Sequence, residues 1–302
     1  NGDTIWTKTY GDGTYNYGYS IVQTTDSGYI FTGESDYFGA DNAFLIRTDS
    51  LGDTLWTKTY GGGGAGVGWR VIQTMDGGYA LGGYSNSVGA GDFDFLLIKT
   101  DNLGDTVWTR AYGGTGQDIG LSLVETPDTS YLISGYTFSF GTGGDAYGLA
   151  VDSMGSLLWS KVYGGTSGDA AYSMELKADG GYAIGAYTYS LGAGDAEYYL
   201  VHTDSTGSSG ACYEASVTPT TTIPTMSIGT FDVATATGAV VGMTGTTVTD
   251  PAGTSRDGYS VSISSPTNNP CNGDSTGTAT ALATGGTASY NYSWDEIGRA
   301  HV

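Results

Sequence analysis

The chain has 302 residues, with 31 acids against 10 bases and a net charge of −21. That balance argues against nucleic acid and anionic membrane surfaces, both of which need clustered Lys and Arg, and no apolar run of about 18 residues is present, so no transmembrane helix is expected. With 52 Gly and 24 Tyr, abundant Thr and Ser, and no long runs of helix formers, the composition reads as all-β.

One phrase recurs four times: Gly2-Asp-Thr-Ile-Trp6-Thr-Lys-Thr-Tyr10-Gly11, then Gly52 to Gly61 with Trp56, Gly104 to Gly113 with Trp108, and Gly155 to Gly164 with Trp159. The leading glycines lie 50, 52 and 51 residues apart. A fixed period of that length means an array of one supersecondary unit whose neighbours must stack to bury their faces. Within the copy 52–103, Leu55–Tyr60, Trp69–Thr74, Tyr79–Tyr84 and Phe93–Thr100 are predicted strands. Asp76-Gly77-Gly78 and Asp101-Asn102-Leu103-Gly104 are predicted tight turns, with Gly supplying positive φ. Four strands per copy match a β-propeller blade, and the copies fall at about 2–51, 52–103, 104–154 and 155–206. A solenoid is the competing geometry. Asn1 aligns with Leu51, inside a copy, so the N-terminus is expected to be a cut end and the missing export signal carries no information.

After Gly207 the pattern stops. Residues 208–261 are rich in Thr and Pro, as in Thr218-Pro219-Thr220-Thr221-Thr222-Ile223-Pro224, and read as a linker or a weak β-segment. Residues 262–296 change character again: Pro270-Cys271-Asn272-Gly273 leads into alternating Thr278 to Ala283, then Gly285-Gly286 and Tyr290-Asn291-Tyr292-Ser293-Trp294. The last six residues, Ile297 to Val302, depart from that module. With the preceding Glu296 they reverse-translate into a string that looks like a common short-read sequencing adapter, so they are expected to be foreign to the protein.

Three resemblances follow from these motifs. The run Gly113-Gly114-Thr115-Gly116-Gln117-Asp118, then Leu121-Ser122-Leu123, Asp128 and Ser134-Gly135-Tyr136-Thr137, resembles the bacterial seven-bladed β-propeller repeat over residues 1–207. The likeness implies an incomplete ring, because four copies are visible. The pattern Asp49-x-x-Gly52-x-x-x-Trp56, repeated at Asp101/Gly104/Trp108 and Asp152/Gly155/Trp159, resembles the tryptophan-docking motif of quinoprotein propellers, with one residue fewer between Asp and Gly. Trp6, Trp56, Trp108 and Trp159 are then expected to pack between blades; a stacking platform for sugar or cofactor is the other reading. Residues 262–294 resemble the first half of a SprB repeat, an immunoglobulin-like module of gliding-motility adhesins and other large surface proteins of Bacteroidetes. That resemblance implies an extracellular or outer-surface protein exported by type IX secretion, with an unknown extracellular ligand, glycan or protein. It also implies that the partner of Cys271 lies after Trp294, so no Cys212–Cys271 bridge is expected.

Catalytic signals are weak. His202 sits at the repeat position of Arg47 and Lys99, where a strand-surface residue is expected, and one such His makes no triad. No Cys/His spacing fits zinc, and no Gly-rich loop opens a helix to cradle phosphate. Asp41, Asp92, Asp94, Asp145 and Asp195 fall in related loops; such loops can hold Ca²⁺ or serve as Asx-turns. The resulting expectation is a non-enzymatic adhesion or binding protein without a firm cofactor. A propeller enzyme acting on polysaccharide or through a quinone, and a purely structural stalk, are the alternatives.

Overall fold

A computed structural model describes residues 5–11, 15–36, 42–61, 63–192, 195–210 and 213–230, together with the backbone of strands at 234–237, 260–264, 280–284, 293–294 and 300–301. The chain divides into two units, Tyr10–Thr235 and a smaller one of Asn1–Thr9 with Ala236–Val302. Among the described residues there are strands and turns but no helix.

The principal strands are β1 (Lys8–Gly11), β2 (Asn16–Gln23), β3 (Tyr29–Ser35), β4 (Asn42–Thr48), β5 (Thr54–Gly61), β6 (Gly66–Gln73), β7 (Tyr79–Ser85) and β8 (Asp94–Thr100). They continue with β9 (Thr106–Gly113), β10 (Asp118–Glu125), β11 (Tyr131–Thr137), β12 (Asp145–Val151), β13 (Leu157–Tyr163), β14 (Asp169–Leu176), β15 (Tyr182–Thr188) and β16 (Glu197–Thr203). β2 to β5, β6 to β9, β10 to β13 and β14 to β16 form four antiparallel meanders in chain order, the arrangement that short tight connections favour.

The sheets are out of phase with the repeated phrase by one strand. The sequence reading grouped each Trp strand with the three strands after it. Hydrogen bonding instead makes it the fourth strand of the preceding sheet, with Arg47 opposite Trp56, Lys99 opposite Trp108 and Ala150 opposite Trp159. The reason lies in the Asp-x-x-Gly turn, which is the hairpin loop between β4 and β5: the Asp49 amide donates to the Asp53 carbonyl at 2.9 Å, and the same closure recurs at Asp101 and Asp152. The Gly-rich stretch after each Trp strand is instead the crossing to the next sheet.

Three of the four buried clusters lie between consecutive sheets, and the fourth, Phe44 and Ile46 with Tyr10 and Phe31 packed against them, lies on the first sheet. Ile30, Leu45, Tyr60, Val71, Leu81 and Leu96 fill the first. Leu97, Tyr112, Leu123, Ile133, Tyr147 and Leu149 fill the second, and Leu132, Tyr163, Met174, Ile184 and Val201 the third. Strands β4, β8 and β12 are buried along their whole length, so they read as continuous apolar runs rather than as alternation.

Past the last repeat the chain turns back along the array. β17 (Glu214–Ser216) adds to β13, β18 (Thr220–Thr222) to β9, and β19 (Ser227–Gly229) to β5, all antiparallel. Glu214 lies opposite Tyr163, Thr221 opposite Tyr112 and Ile228 opposite Tyr60, so this strap advances one sheet per seven residues. Pro219 and Pro224 fall between its strands, where the ladder needs no N–H. β20 (Ala234–Thr237) pairs with β1. In the smaller unit β21 (Ser260–Ser264) pairs antiparallel with β22 (Thr280–Thr284), and β23 (Ser293–Trp294) with β24 (Ala300–His301).

Candidate functional site

The repeated phrase builds a clamp. Tyr60 donates its hydroxyl to the Gly104 carbonyl at 2.7 Å, Tyr112 to Gly155 at 2.6 Å, Tyr163 to Gly207 at 2.6 Å and Tyr10 to Gly52 at 2.7 Å. The indole rests on the same glycine: a Cβ at Gly104, whose φ is +79°, would lie 2.8 Å from the Trp56 ring, so both backbone and space demand glycine. Asp49, Asp101 and Asp152 shape the turns, each through Oδ1 accepting two backbone amides. Trp108 is buried and also donates Nε1–H to the Ser153 carbonyl at 3.0 Å, whereas Trp6, Trp56 and Trp159 are half-buried. The indoles of Trp56, Trp108 and Trp159 contact Tyr79, Tyr131 and Tyr182 of the following sheet, with ring centroids 5.8, 5.9 and 5.6 Å apart. These aromatics therefore join sheets, one rigid contact per repeat.

Beside the Trp56 clamp a groove opens at the turn end of the strands. Between the first two sheets it measures about 390 Å³ and is lined by Asp26, Arg47, Trp56, Gln73 and Tyr79 among others. Arg47 is buried; it donates Nε–H to the Tyr79 hydroxyl at 2.9 Å and pairs with Asp26 at 2.5 Å. The Thr24 hydroxyl, with the Gly28 amide and the Arg47 guanidinium, holds the Asp26 carboxyl below its usual range. At the corresponding place in the second sheet Lys99 takes the place of Arg47 and pairs with Asp76 at 2.9 Å. Burial alone would raise the Asp76 carboxyl, but hydrogen bonds from Thr74 and Lys99 outweigh it and bring it to about 2. In the third sheet the basic residue is replaced by Ala150, and the Thr126 hydroxyl holds the Asp128 carboxyl below its usual range. The sequence reading places Asp76 in a tight turn and does not foresee the groove. The available signal was a basic residue inside an apolar strand, at Arg47 and Lys99.

At the opposite ends of the same strands lie buried carboxyl pairs, one residue from each of two adjacent sheets. A Cβ on Gly113 would sit 1.8 Å from Asp94 Oδ1 and 2.6 Å from Asp118 Oδ2, so these oxygens face each other across the glycine. Asp118 is well satisfied, by the Gly114 amide at 2.8 Å, the Ser139 hydroxyl at 2.6 Å and the Thr137 hydroxyl. Asp94 Oδ2 accepts from Ala90 and Gly91, while Oδ1 has no hydrogen-bond partner. Burial, with Asp118 nearby, pushes the Asp94 carboxyl up to about 6. Asp145 and Asp169 repeat the arrangement around Gly164, and burial with the neighbouring Asp169 raises Asp145 to about 6. Asn42 occupies the matching place at Gly61.

The five acids singled out from the sequence do not converge. Asp94 and Asp145 are buried in different pairs, Asp92 and Asp195 are exposed, with Asp92 accepting from Gln117 at 2.9 Å, and Asp41 lies outside the described residues. Among the described residues no group of three or more His, Cys, Asp or Glu side chains is placed to hold a metal ion. His202 is exposed on β16, opposite Ala183 as Lys99 is opposite Ala80. Cys212 and Cys271 lie outside the described residues. No described helix is long and apolar enough to cross a membrane.

The family model of the SprB repeat matches residues 263–298. The match begins one residue after the boundary read from the motifs and ends at Gly298, two residues inside the segment expected to be foreign. It lies wholly outside the repeat array and carries no statement about it. No curated protein matches the chain.

Proposed function

We propose that the chain belongs to a modular bacterial cell-surface protein of the Bacteroidetes type, in which a non-catalytic repeat array stands before adhesin-like modules. The observation that carries this reading is the SprB match at residues 263–298 beside an all-β array. The fold alone would not support it, since all-β arrays host many functions. Within the proposal the four sheets are blades of a propeller sector, supported by their chain order, the Trp strand handed back from each repeat to the sheet before it, and the clamp between neighbours. The work of the array is adhesion or display, with glycan or protein ligands meeting the groove by Trp56 and Arg47, and export follows the type IX route.

A binding role fits the distribution of titrating groups better than catalysis does. The carboxyls poised nearest neutrality, Asp94 and Asp145, are sequestered from solvent, out of reach of any substrate. Asp26 and Arg47, which line the open groove, are already ion-paired, as are Asp76 and Lys99 at the corresponding place in the second sheet. Surface labelling tests the location: an antibody against residues 15–210 should stain intact source cells, and external protease should remove the signal. Signal confined to the cytosolic fraction overturns it. Binding of the chain to a glycan and extracellular-matrix array, reduced by Trp56→Ala, tests the ligand class.

A further inference from the structure

A row of aliphatic side chains runs unburied along the turn ends of the strands. Leu55, Val107 and Leu158 each precede the Trp of their repeat, and Leu103 and Met154 each precede the Gly on which the Trp of the sheet before them rests. All five are between 56% and 62% exposed, although Tyr60, Tyr112 and Tyr163 on the same strands are fully buried. They are neighbours along the array. Leu55 and Leu103 line one groove. The Ser153 and Met154 carbonyls accept from Trp108 Nε1–H and the Arg110 guanidinium, both at 3.0 Å, so the turn that carries Met154 rests on the strand that carries Val107. Leu103 and Val107 share the hairpin closed by the Asp101 amide on the Asp105 carbonyl, and Met154 and Leu158 the one closed by Asp152 on Ser156, both at 2.9 Å. The fold does not require these aliphatics. Thr206 holds the place of Leu103 and Met154 in a turn closed the same way, by Asp204 on Ser208 at 2.8 Å. A repeated apolar row that adds little to the core marks a surface that another molecule covers.

Charge selects the occupant. Asp101 and Asp152 stand beside Leu103 and Met154 in their turns, and Asp76 and Asp128 lie in the neighbouring turns at the same end of the sheets. The bases beside the row are committed within the chain: Arg47 to Asp26, Lys99 to Asp76, Lys58 to Asp105, and Arg110 to the Thr109 and Met154 carbonyls. The Ser156 amide holds the Asp152 carboxyl below its usual range, as the Thr126 hydroxyl does for Asp128, so this acidic rim is ionised at neutral pH. A second copy would set one such rim against another, and an anionic bilayer would meet the same repulsion. We propose that the row docks a cationic amphipathic polypeptide, whose aliphatic side chains cover Leu55, Leu103, Val107, Met154 and Leu158 while its Lys and Arg residues meet the aspartates of the turns. The inference extends past the Trp56 groove along three sheets and stands without the surface-protein reading.

Fluorescence anisotropy of the 302-residue chain with a labelled amphipathic peptide of Leu and Lys tests it, with a peptide of Leu and Glu in the same order as the control. The Leu/Lys peptide should bind, more weakly as salt rises, and the Leu/Glu peptide should not. Val107→Ser with Leu158→Ser, both outside the Trp56 groove, should weaken binding at least about tenfold and leave the circular dichroism spectrum unchanged. Leu103→Thr with Met154→Thr should do the same, in turns whose chemistry the fold already accepts at Thr206. Equal binding by the wild-type chain and both variants would reduce the contact to adsorption by charge and overturn the proposal. So would a Leu/Lys peptide that does not bind, or a Leu/Glu peptide that binds as tightly. Concentration-dependent dimers, or flotation with phosphatidylcholine vesicles, either one abolished by the same substitutions, would give the row another occupant and overturn it as well.

Discussion

Asp94 shows how a residue can be wrong for stability and still be tolerated. Its usual carboxyl pKa of 3.8 rises to about 6 in the fold, through burial first and Asp118 second. Between those values the folded state holds the proton more tightly than the unfolded state, so stability falls as pH rises from about 4 to about 6. The full difference, about 3 kcal/mol, is present below the unfolded value and lost above the folded one. Asp94→Asn should keep the contacts from Ala90 and Gly91, offer an amide N–H toward Asp118, and flatten this dependence; Asn42 occupies the equivalent site by nature. Urea unfolding between about pH 4 and pH 7 measures it; equal slopes for both proteins would count against the carboxyl pair. The aromatic clamp gives a second residue-scale expectation. Trp108→Ala removes a buried ring and its bond to Ser153 and should cost roughly 3–5 kcal/mol. Tyr60→Phe leaves the buried Gly104 carbonyl without its donor and should cost about 1–2 kcal/mol, readable as a shift in the urea midpoint. The Trp and Gly positions were legible in the sequence because four copies align them. The carboxyl pair was not, because Asp94 and Asp118 belong to different sheets and only the stacking of those sheets brings them together.

At the scale of elements, periodicity located strands more reliably than it located their neighbours. The predicted strands in the second copy overlap β5, β6, β7 and β8 closely, since alternation and apolar runs report burial of one strand at a time. Which strands share a sheet depends on which turn is a hairpin, and the Asp-x-x-Gly turn had been taken as a boundary. The strap was read as linker because Thr and Pro dominate it, and an edge strand of three residues leaves almost no pattern. Its anchor is Glu214, which bonds the Lys161 ammonium, the Ser208 hydroxyl and the Ser209 amide and hydroxyl. Burial opposes the charge, but the Lys161 and Ser209 bonds outweigh it and hold the carboxyl at about 2, so its contribution persists at neutral pH and fades only as pH falls below its unfolded value. Glu214→Gln leaves the nearly buried Lys161 ammonium unpaired and should cost about 3 kcal/mol. It should also speed amide exchange along Glu214–Ser216 more than along Thr220–Thr222. Unchanged exchange in the strap would show that its backbone pairing to β13 suffices without the ion pair.

Across the whole molecule, each sheet of the array packs only on the sheets next to it, and stability in such a stack is close to a sum of unit and nearest-neighbour terms. The internal sheets β6–β9 and β10–β13 have a neighbour on both faces, a Trp strand and a strap strand. Among the described residues the β14–β16 sheet has one packed face, three strands and no strap, with Tyr198 and Leu200 in solvent. Its local opening free energy should therefore lie well below that of the global transition, since few apolar contacts are broken when it opens. Native-state hydrogen exchange should rank β7 above β15, although Tyr79–Ser85 and Tyr182–Thr188 are the same strand of the repeat and differ little in composition. Equal protection of the two strands would mean that the array unfolds as one cooperative block, and that the exposed face of β16 carries no thermodynamic penalty of its own.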